Sequence, residues 1–308
     1  MNLLGKRYIF FAVSLLVIVP GLLALAFRGL PLSLDFTGGS LLEVKFEGTQ
    51  PQPAELIALY EEQNIGDAQV QTTDAGTLMI RSSFLDDATR EKVLSAMETT
   101  FGSKPTVQRF DSVGPSIGEQ VTSRAALAVA VAALVVVIYI TITFRGIAHA
   151  FRYGVCAILA MIHDVAVVFS VAGLGALLLG WEIDSLFLTA LLTVIGFSVQ
   201  DKIVVFDRIR ENSNILRRLD FETLVNHSVV QTLQRSINTQ LMTVEFLLLA
   251  LALFGGVTLQ EFSVILLVGL FSGTYSSIFI AASILVVWEN QEWKNWFGGG
   301  KKKEEVAA

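Results

Sequence analysis

The sequence predicts an α-helical membrane protein, with six transmembrane helices and one small extracytoplasmic α+β domain. Three observations predict it. The chain has 308 residues, is 53% hydrophobic and 16% charged, and has a mean hydropathy of +0.61, whereas a soluble domain averages about 25% charged residues. A span needs about 20 predominantly apolar residues, and six stretches qualify, at about 8–27, 125–144, 151–179, 186–206, 233–254 and 262–288. One long polar stretch, about 29–122, separates the first from the second.

The first stretch follows Lys6 and Arg7. Its Pro20-Gly21 and Ala24-Leu25-Ala26 imitate a signal peptide with its cleavage site. The run is nevertheless long enough to span and is stopped by Arg28, so residues 1–28 are read as an uncleaved anchor. In 29–122, "LLEVKF" (41–46) alternates over part of its length as a half-buried strand does. "PAELIALYEEQN" (53–64) opens on a proline and repeats apolar residues at helical spacing. "AQVQTT" and "TLMIRS" flank Asp74-Ala75-Gly76, a hairpin signal. "DDATREKVLSAMETTF" (86–101) puts Val93, Leu94, Met97 and Phe101 on one helical face, and "PTVQRFDSV" (105–113) reads as a last strand. The order β-α-β-β-α-β is that of a ferredoxin-like split βαβ unit. This domain holds no His, no Cys and no paired carboxylates in a recognisable motif. It is read as a binding or coupling module, with no catalytic residue. Gly38-Gly39 lacks the spacing of a phosphate loop and is read as a tight turn joining the first helix to the domain.

Loop charges orient the spans, because cytoplasmic loops collect Lys and Arg. With the N-terminus inside, Lys6, Arg7, Arg145, Arg152, Arg208, Arg210, Arg217, Arg218, Lys294 and Lys301 to Lys303 are all cytoplasmic. The opposite loops, 180–185 and 255–261, carry acids and no Lys or Arg. Both termini are then cytoplasmic and 29–122 lies outside. The five later spans form a membrane domain over 123–290, followed by a basic tail over 291–308. The outer stretch has 14 acidic and 6 basic residues, in a chain of net charge −6. That balance excludes nucleic acid as a partner, since nothing there neutralises phosphates. The single cysteine, Cys156, permits no intrachain disulfide. The cytoplasmic stretch 214–233 carries periodic apolar residues and is read as an interfacial helix, with docking to a partner as the alternative. No metal, cofactor or hydrolase motif is present in the sequence.

Five ionisable residues lie within spans: Asp164, Asp201, Lys202, Arg235 and Glu245. Each costs about 2.5–3.5 kcal/mol at a helix centre on insertion scales, so function is the default reading. Lys202 is close enough to the cytoplasmic interface to snorkel. Asp201 and Arg235 lie at similar depth and are expected to pair, the guanidinium acting electrostatically because it does not deprotonate. Asp164 and Glu245 are both near mid-membrane. Either they share a proton, or Glu245 stays protonated within the bundle. Asn238 shares a helical face with Glu245, while His163 points about 100° away from Asp164 and is read as satisfying another neighbour. The small-residue stripe Gly269, Gly273 and Ser277 on the last span, and Ala125, Ala128 and Ala132 on the second, are read as packing faces.

Several stretches together resemble the SecF family. They are "LSLDFTGGSLLEV" (32–44), "FDSVGPSIGEQV" (110–121), "IHDV" (162–165), "IGFSVQDKIVVFDRIREN" (195–212) and "QTLQRSINT" (231–239). The resemblance covers nearly the whole chain, in order. It implies six spans related to those of resistance-nodulation-division transporters, with a SecD-like subunit supplying a pseudosymmetric second six. It further implies work beside the SecYEG channel, in the inner (cytoplasmic) membrane, where proton flow helps to complete export of unfolded chains. Residue by residue, it makes Asp201 the family's intramembrane acid, Arg235 its basic residue and Asp164 the acid of its His-Asp motif. Asp207 and Arg208 fall in its cytoplasmic Asp-Arg box, and Asp35, Gly38 and Gly39 in the matching stretch 32–44. Two departures stand out: Gln200 replaces the family's Asn, and Glu245 has no counterpart there. A small-molecule efflux transporter of the same superfamily is the competing reading; such chains carry about twelve spans and two large outer domains.

Overall fold

The computed structural model describes residues 2–48, 50–73, 76–145, 150–240 and 246–294. The chain divides into two compact units, Leu32–Ala128 and a second formed by Met1–Pro31 with Val129–Ala308.

The smaller unit begins with a one-turn helix, α2 (Leu34–Thr37), preceded in the chain by the first long helix, α1 (Arg7–Arg28). Strand β1 (Gly39–Lys45), helix α3 (Pro53–Glu62), strands β2 (Gln69–Thr72) and β3 (Leu78–Ser82), helix α4 (Asp87–Phe101) and strand β4 (Thr106–Val113) follow. The sheet order is β2-β3-β1-β4, and every neighbouring pair is antiparallel. Both helices start as their sequences dictate. Gln52 and Glu55 form a capping box ahead of α3. Asp86 accepts the Thr89 amide at 2.8 Å ahead of α4. Alternate residues of β1 and β3 (Leu42, Val44, Leu78, Ile80) meet Leu56, Leu59, Tyr60, Val93 and Met97 of the two helices in one core.

Gly38 caps α2 and Gly39 opens β1, so the pair turns the chain from α2 into the sheet rather than out of α1, which corrects the expected junction. Their φ angles are +69° and +112°. A Cβ on Gly39 would lie 2.7 Å from the Ser82 carbonyl oxygen. Only glycine combines that backbone with that approach.

Five helices of the described residues are long and apolar enough to cross a membrane: Leu4–Arg28, Pro115–Thr143, Ala150–Leu179, Ser185–Ile215 and Leu259–Glu289, the second of them crossing the boundary between the units at Ala128. They contain, in order, α1, α5 (Pro115–Thr143), α6 (Ala150–Leu179), α7 (Ser185–Ile215) and the final run. That run is α10 (Val257–Tyr275), a π-helical segment (Ser276–Ala281) and α11 (Ala282–Glu289). The expected fifth span is divided between α8 (Phe221–Gln240) and α9 (Phe246–Phe254), with residues 241–245 outside those described. The start of α8 corrects the expected interfacial helix. Asp220 caps it at the Thr223 amide, 2.9 Å away. The stripe Leu224, Val225, Ser228, Val229, Thr232 and Ser236 is buried, and Asn212 of α7 donates to Ser228 across 2.8 Å. These residues seat α8 on α7.

Close approach sets the spacing of the bundle. A Cβ on Gly21 of α1 would lie 2.0 Å from the Ser170 carbonyl of α6, and one on Gly269 of α10 would lie 2.3 Å from Val194 Cγ2 of α7. Small residues thus bring α6, α7 and α10 close enough for short side chains to reach across.

Candidate functional site

Two carboxylates lie inside this bundle. Asp164 on α6 is 1% exposed and Asp201 on α7 is 9% exposed. Five donors converge on Asp164. His163 Nδ1 (3.0 Å) and Ser272 Oγ (2.8 Å) meet Oδ1, and Ser198 Oγ, Ser276 Oγ and Lys202 Nζ, each at 2.6 Å, meet Oδ2. A carboxylate offers about four lone-pair sites, so this one is saturated. Asp201 is more sparsely held: Ser236 Oγ of α8 donates to Oδ1 at 2.8 Å and Ser277 Oγ to Oδ2 at 2.6 Å.

Helix phase makes the division. Ser198 and Lys202 are four apart on α7 and share the face turned to α6, while Asp201 turns toward α8 and the π segment. In that segment the consecutive residues Ser276 and Ser277 each serve a different acid. π turns are rare and recur at functional sites. Ser277, expected as mere packing, is a donor here.

Lys202 corrects the snorkelling expectation: its side chain is fully buried, paired with Asp164 at 2.6 Å. Its stem points along α7 into the α6 interface, where an acid compensates it, and so never reaches the surface. Its other bonds go to the Ser198 carbonyl (3.3 Å) and hydroxyl. Arg235 is exposed and makes no ion pair with Asp201. It sits one residue off the buried stripe, so its neighbour Ser236 occupies the place the guanidinium was expected to fill. His163 reaches Asp164 after all, and its Nε2 lies 2.9 Å from Ser14 Oγ on α1. Consecutive side chains bend together because Ser14 and the Tyr275 ring, stacked 6.2 Å away, hold the imidazole.

Gln200 and Asn238 are exposed, and neither touches the acids. Asp207 pairs with Arg210 at 2.7 Å, and Arg208 with Glu211 at 2.6 Å and with Gln231 at 2.7 Å. Glu245 lies outside the described residues. Asp35 opens α2, its amide bonded to Ser33 Oγ at 3.3 Å. The serines that hold the acids carry no sequence motif; the signal available was hydroxyls at helical spacing inside apolar runs. Among the described residues no cluster of three or more His, Cys, Asp or Glu is placed to hold a metal. A cavity of about 820 Å³ lies elsewhere, lined by Arg145, Arg152, Arg210 and Arg217 among others, and neither acid lines it.

Residues 92–291 match the family described as protein export membrane protein SecD/SecF, C-terminal, and residues 23–50 match the SecD/SecF GG motif. The chain is 67% identical over 303 residues to protein translocase subunit SecF of Anaerolinea thermophila, covering 98% of each. It is 44% identical to that of Thermobaculum terrenum, covering 94% of this chain and 95% of that one. Among solved structures it resembles SecDF, a translocon-associated membrane protein, from Thermus thermophilus, with a TM-score of 0.76 at 33% identity. That match covers 94% of this chain and 39% of the other.

Proposed function

The chain belongs to the SecD/SecF family of protein-export membrane proteins, and on that premise we propose how it works. It is an auxiliary subunit of the Sec translocase, of the SecF kind. It acts with a SecD-like subunit beside the SecYEG channel, on exported unfolded chains, drawing on the proton-motive force and catalysing no bond change.

The observation that carries this reading is the pair of buried carboxylates, Asp164 and Asp201, each hydrogen-bonded by hydroxyls from neighbouring helices. Ionisable groups at membrane depth mark ion pathways. Asp201, with two donors and acceptor capacity to spare, is the acid that takes up and releases the proton. Gln200 on α7 and Arg235 and Asn238 on α8 are exposed; with the fifth crossing beginning at residue 233, these polar groups would face lipid, which they seldom do, and this supports a partner surface there. Glu245 stays a candidate for the same route.

We assign the chain to the inner membrane with six crossings, 233–254 being the fifth, and with 123–290 as the membrane domain between outer domain and tail. Both termini are cytoplasmic. In support, Arg7 at the start of α1 pairs with Glu222 at the start of α8 (3.1 Å) and Glu292 beyond α11 (2.5 Å). At the other end Ile183 donates to the Pro31 carbonyl at 2.7 Å. The outer domain, 29–122, is assigned the ferredoxin-like class on its sheet order and its two helices over one core.

Asp201→Asn tests the reading, because the amide keeps shape and hydrogen bonding but does not titrate. In proteoliposomes holding the complete complex, gradient-stimulated export should vanish while the complex still co-purifies. Undiminished stimulation overturns it.

A further inference from the structure

The Lys202 ammonium lies where a dissolved cation would. Asp164 Oδ2 receives the hydroxyls of Ser198 and Ser276, Oδ1 receives that of Ser272, and the Ser198 carbonyl faces the ammonium, an all-oxygen cluster of the kind that hard cations select. An ammonium has three protons, and Lys202 Nζ has three acceptors: Asp164 Oδ2, Ser198 O and Ser198 Oγ. Its side chain is fully buried and Asp164 is 1% exposed, so bulk water does not screen the pair.

We propose that Lys202 is the ion-selectivity determinant of this chain: its tethered ammonium permanently occupies the oxygen cluster at Asp164, excludes Na⁺ from it, and makes coupling independent of Na⁺. This rests on the ion-coupled reading above and deepens it. The charged and titratable groups near the ammonium are Asp164 and His163 on α6 and Tyr275 of α10 behind the imidazole, while Asp201, its chain neighbour on α7, is turned toward α8 and the π segment. The packed face of α10 and the π segment otherwise brings hydroxyls. With Asp164 and Lys202 mutually neutralised, a further cation would meet a like charge at contact distance in a low-dielectric site. A proton has another place to go, the separately held carboxylate of Asp201.

The test uses the full chain with its SecD-like partner and SecYEG in proteoliposomes, under an imposed proton gradient or an imposed Na⁺ gradient, with NaCl exchanged for choline chloride. The wild type should respond to the proton gradient and be indifferent to the exchange. Lys202→Thr, which removes the ammonium and leaves a hydroxyl, should acquire a Na⁺ dependence of about tenfold, within the usual range of coupling between sites. If that variant fails to assemble, Lys202→Gln makes the same comparison, keeping hydrogen-bonding capacity without the charge. A wild type driven by the Na⁺ gradient alone overturns the selectivity proposal and leaves ion-coupled export standing. Assembled variants that stay indifferent to Na⁺ overturn it too. A wild type that answers to neither gradient overturns the functional reading as well.

Discussion

A buried hydroxyl is tolerated where it has something to donate to. In the outer unit Tyr60 lacks that: its ring is fully buried, and its phenol oxygen has no hydrogen-bond partner among the described residues. Burial pushes its pKa above the ordinary phenol value of 10.0. Tyr60→Phe should therefore leave the domain as stable or more stable, by up to about 1–3 kcal/mol, the cost of an unsatisfied buried polar group; chemical denaturation measures it. Gly39→Ala should destabilise by about 1–3 kcal/mol in the same assay, through its positive φ and the Ser82 carbonyl. Legibility at this scale followed chemistry unevenly. That Asp164 and Asp201 are buried and bonded was readable, because an acid inside an apolar run has few alternatives. Which cation meets which acid was not. Lys202 and Arg235 differ from their neighbours by one helix position, about 100°, and depth along the membrane carries no information on azimuth.

Helices and strands were read more surely. In the outer unit each element announces itself by a cap or by alternation, and the core is small enough that every apolar residue on the inner faces has one place to go. The membrane helices are bounded by their charges. The beginning of α8 was legible as a helix from its narrow apolar stripe, but not its seat on α7, because periodicity gives an apolar face without saying whether lipid or protein covers it. Contact between helices is the stronger constraint here. Gly21 lies so near Ser170 that even one methyl has no room. Gly21→Leu should cost the α1–α6 contact about 1–3 kcal/mol or more, the usual range for overpacking, seen as a lower melting temperature in detergent. Leu178→Ala, on an exposed position of α6, should leave it nearly unchanged.

At the scale of the molecule, the buried shares of the spans are unequal. In the most apolar window 61% is buried for Leu259–Glu289, but 11% for Leu4–Arg28 and 6% for Pro115–Thr143. The last two therefore offer faces for lipid or for a second subunit, and purification from native membranes should bring down a SecD-like chain; a self-sufficient homotrimer would argue for efflux instead. One ion cluster ties the ends. Burial would raise the Glu292 pKa, but hydrogen bonds from Arg7 and Tyr8 and the Arg7 charge outweigh it, so the carboxyl sits below its ordinary value of 4.5. A depressed acid stabilises the fold above its unfolded pKa and loses that contribution as pH falls through the folded value. Thermal stability in detergent should thus decline below about pH 4.5 and decline less in Glu292→Gln, which starts lower.

That same cluster has a meaning in time. Arg7 and Glu292 are 285 residues apart in the chain, and at about 5–20 residues per second a ribosome needs roughly 15–60 s to travel from one to the other. Throughout that interval the first helix is in the membrane with its terminal arginine lacking this partner. The contact that fastens the start of α1 therefore forms only after the whole of α11 has been synthesised, so the first membrane helix waits for the last of the described helices before this ion cluster closes.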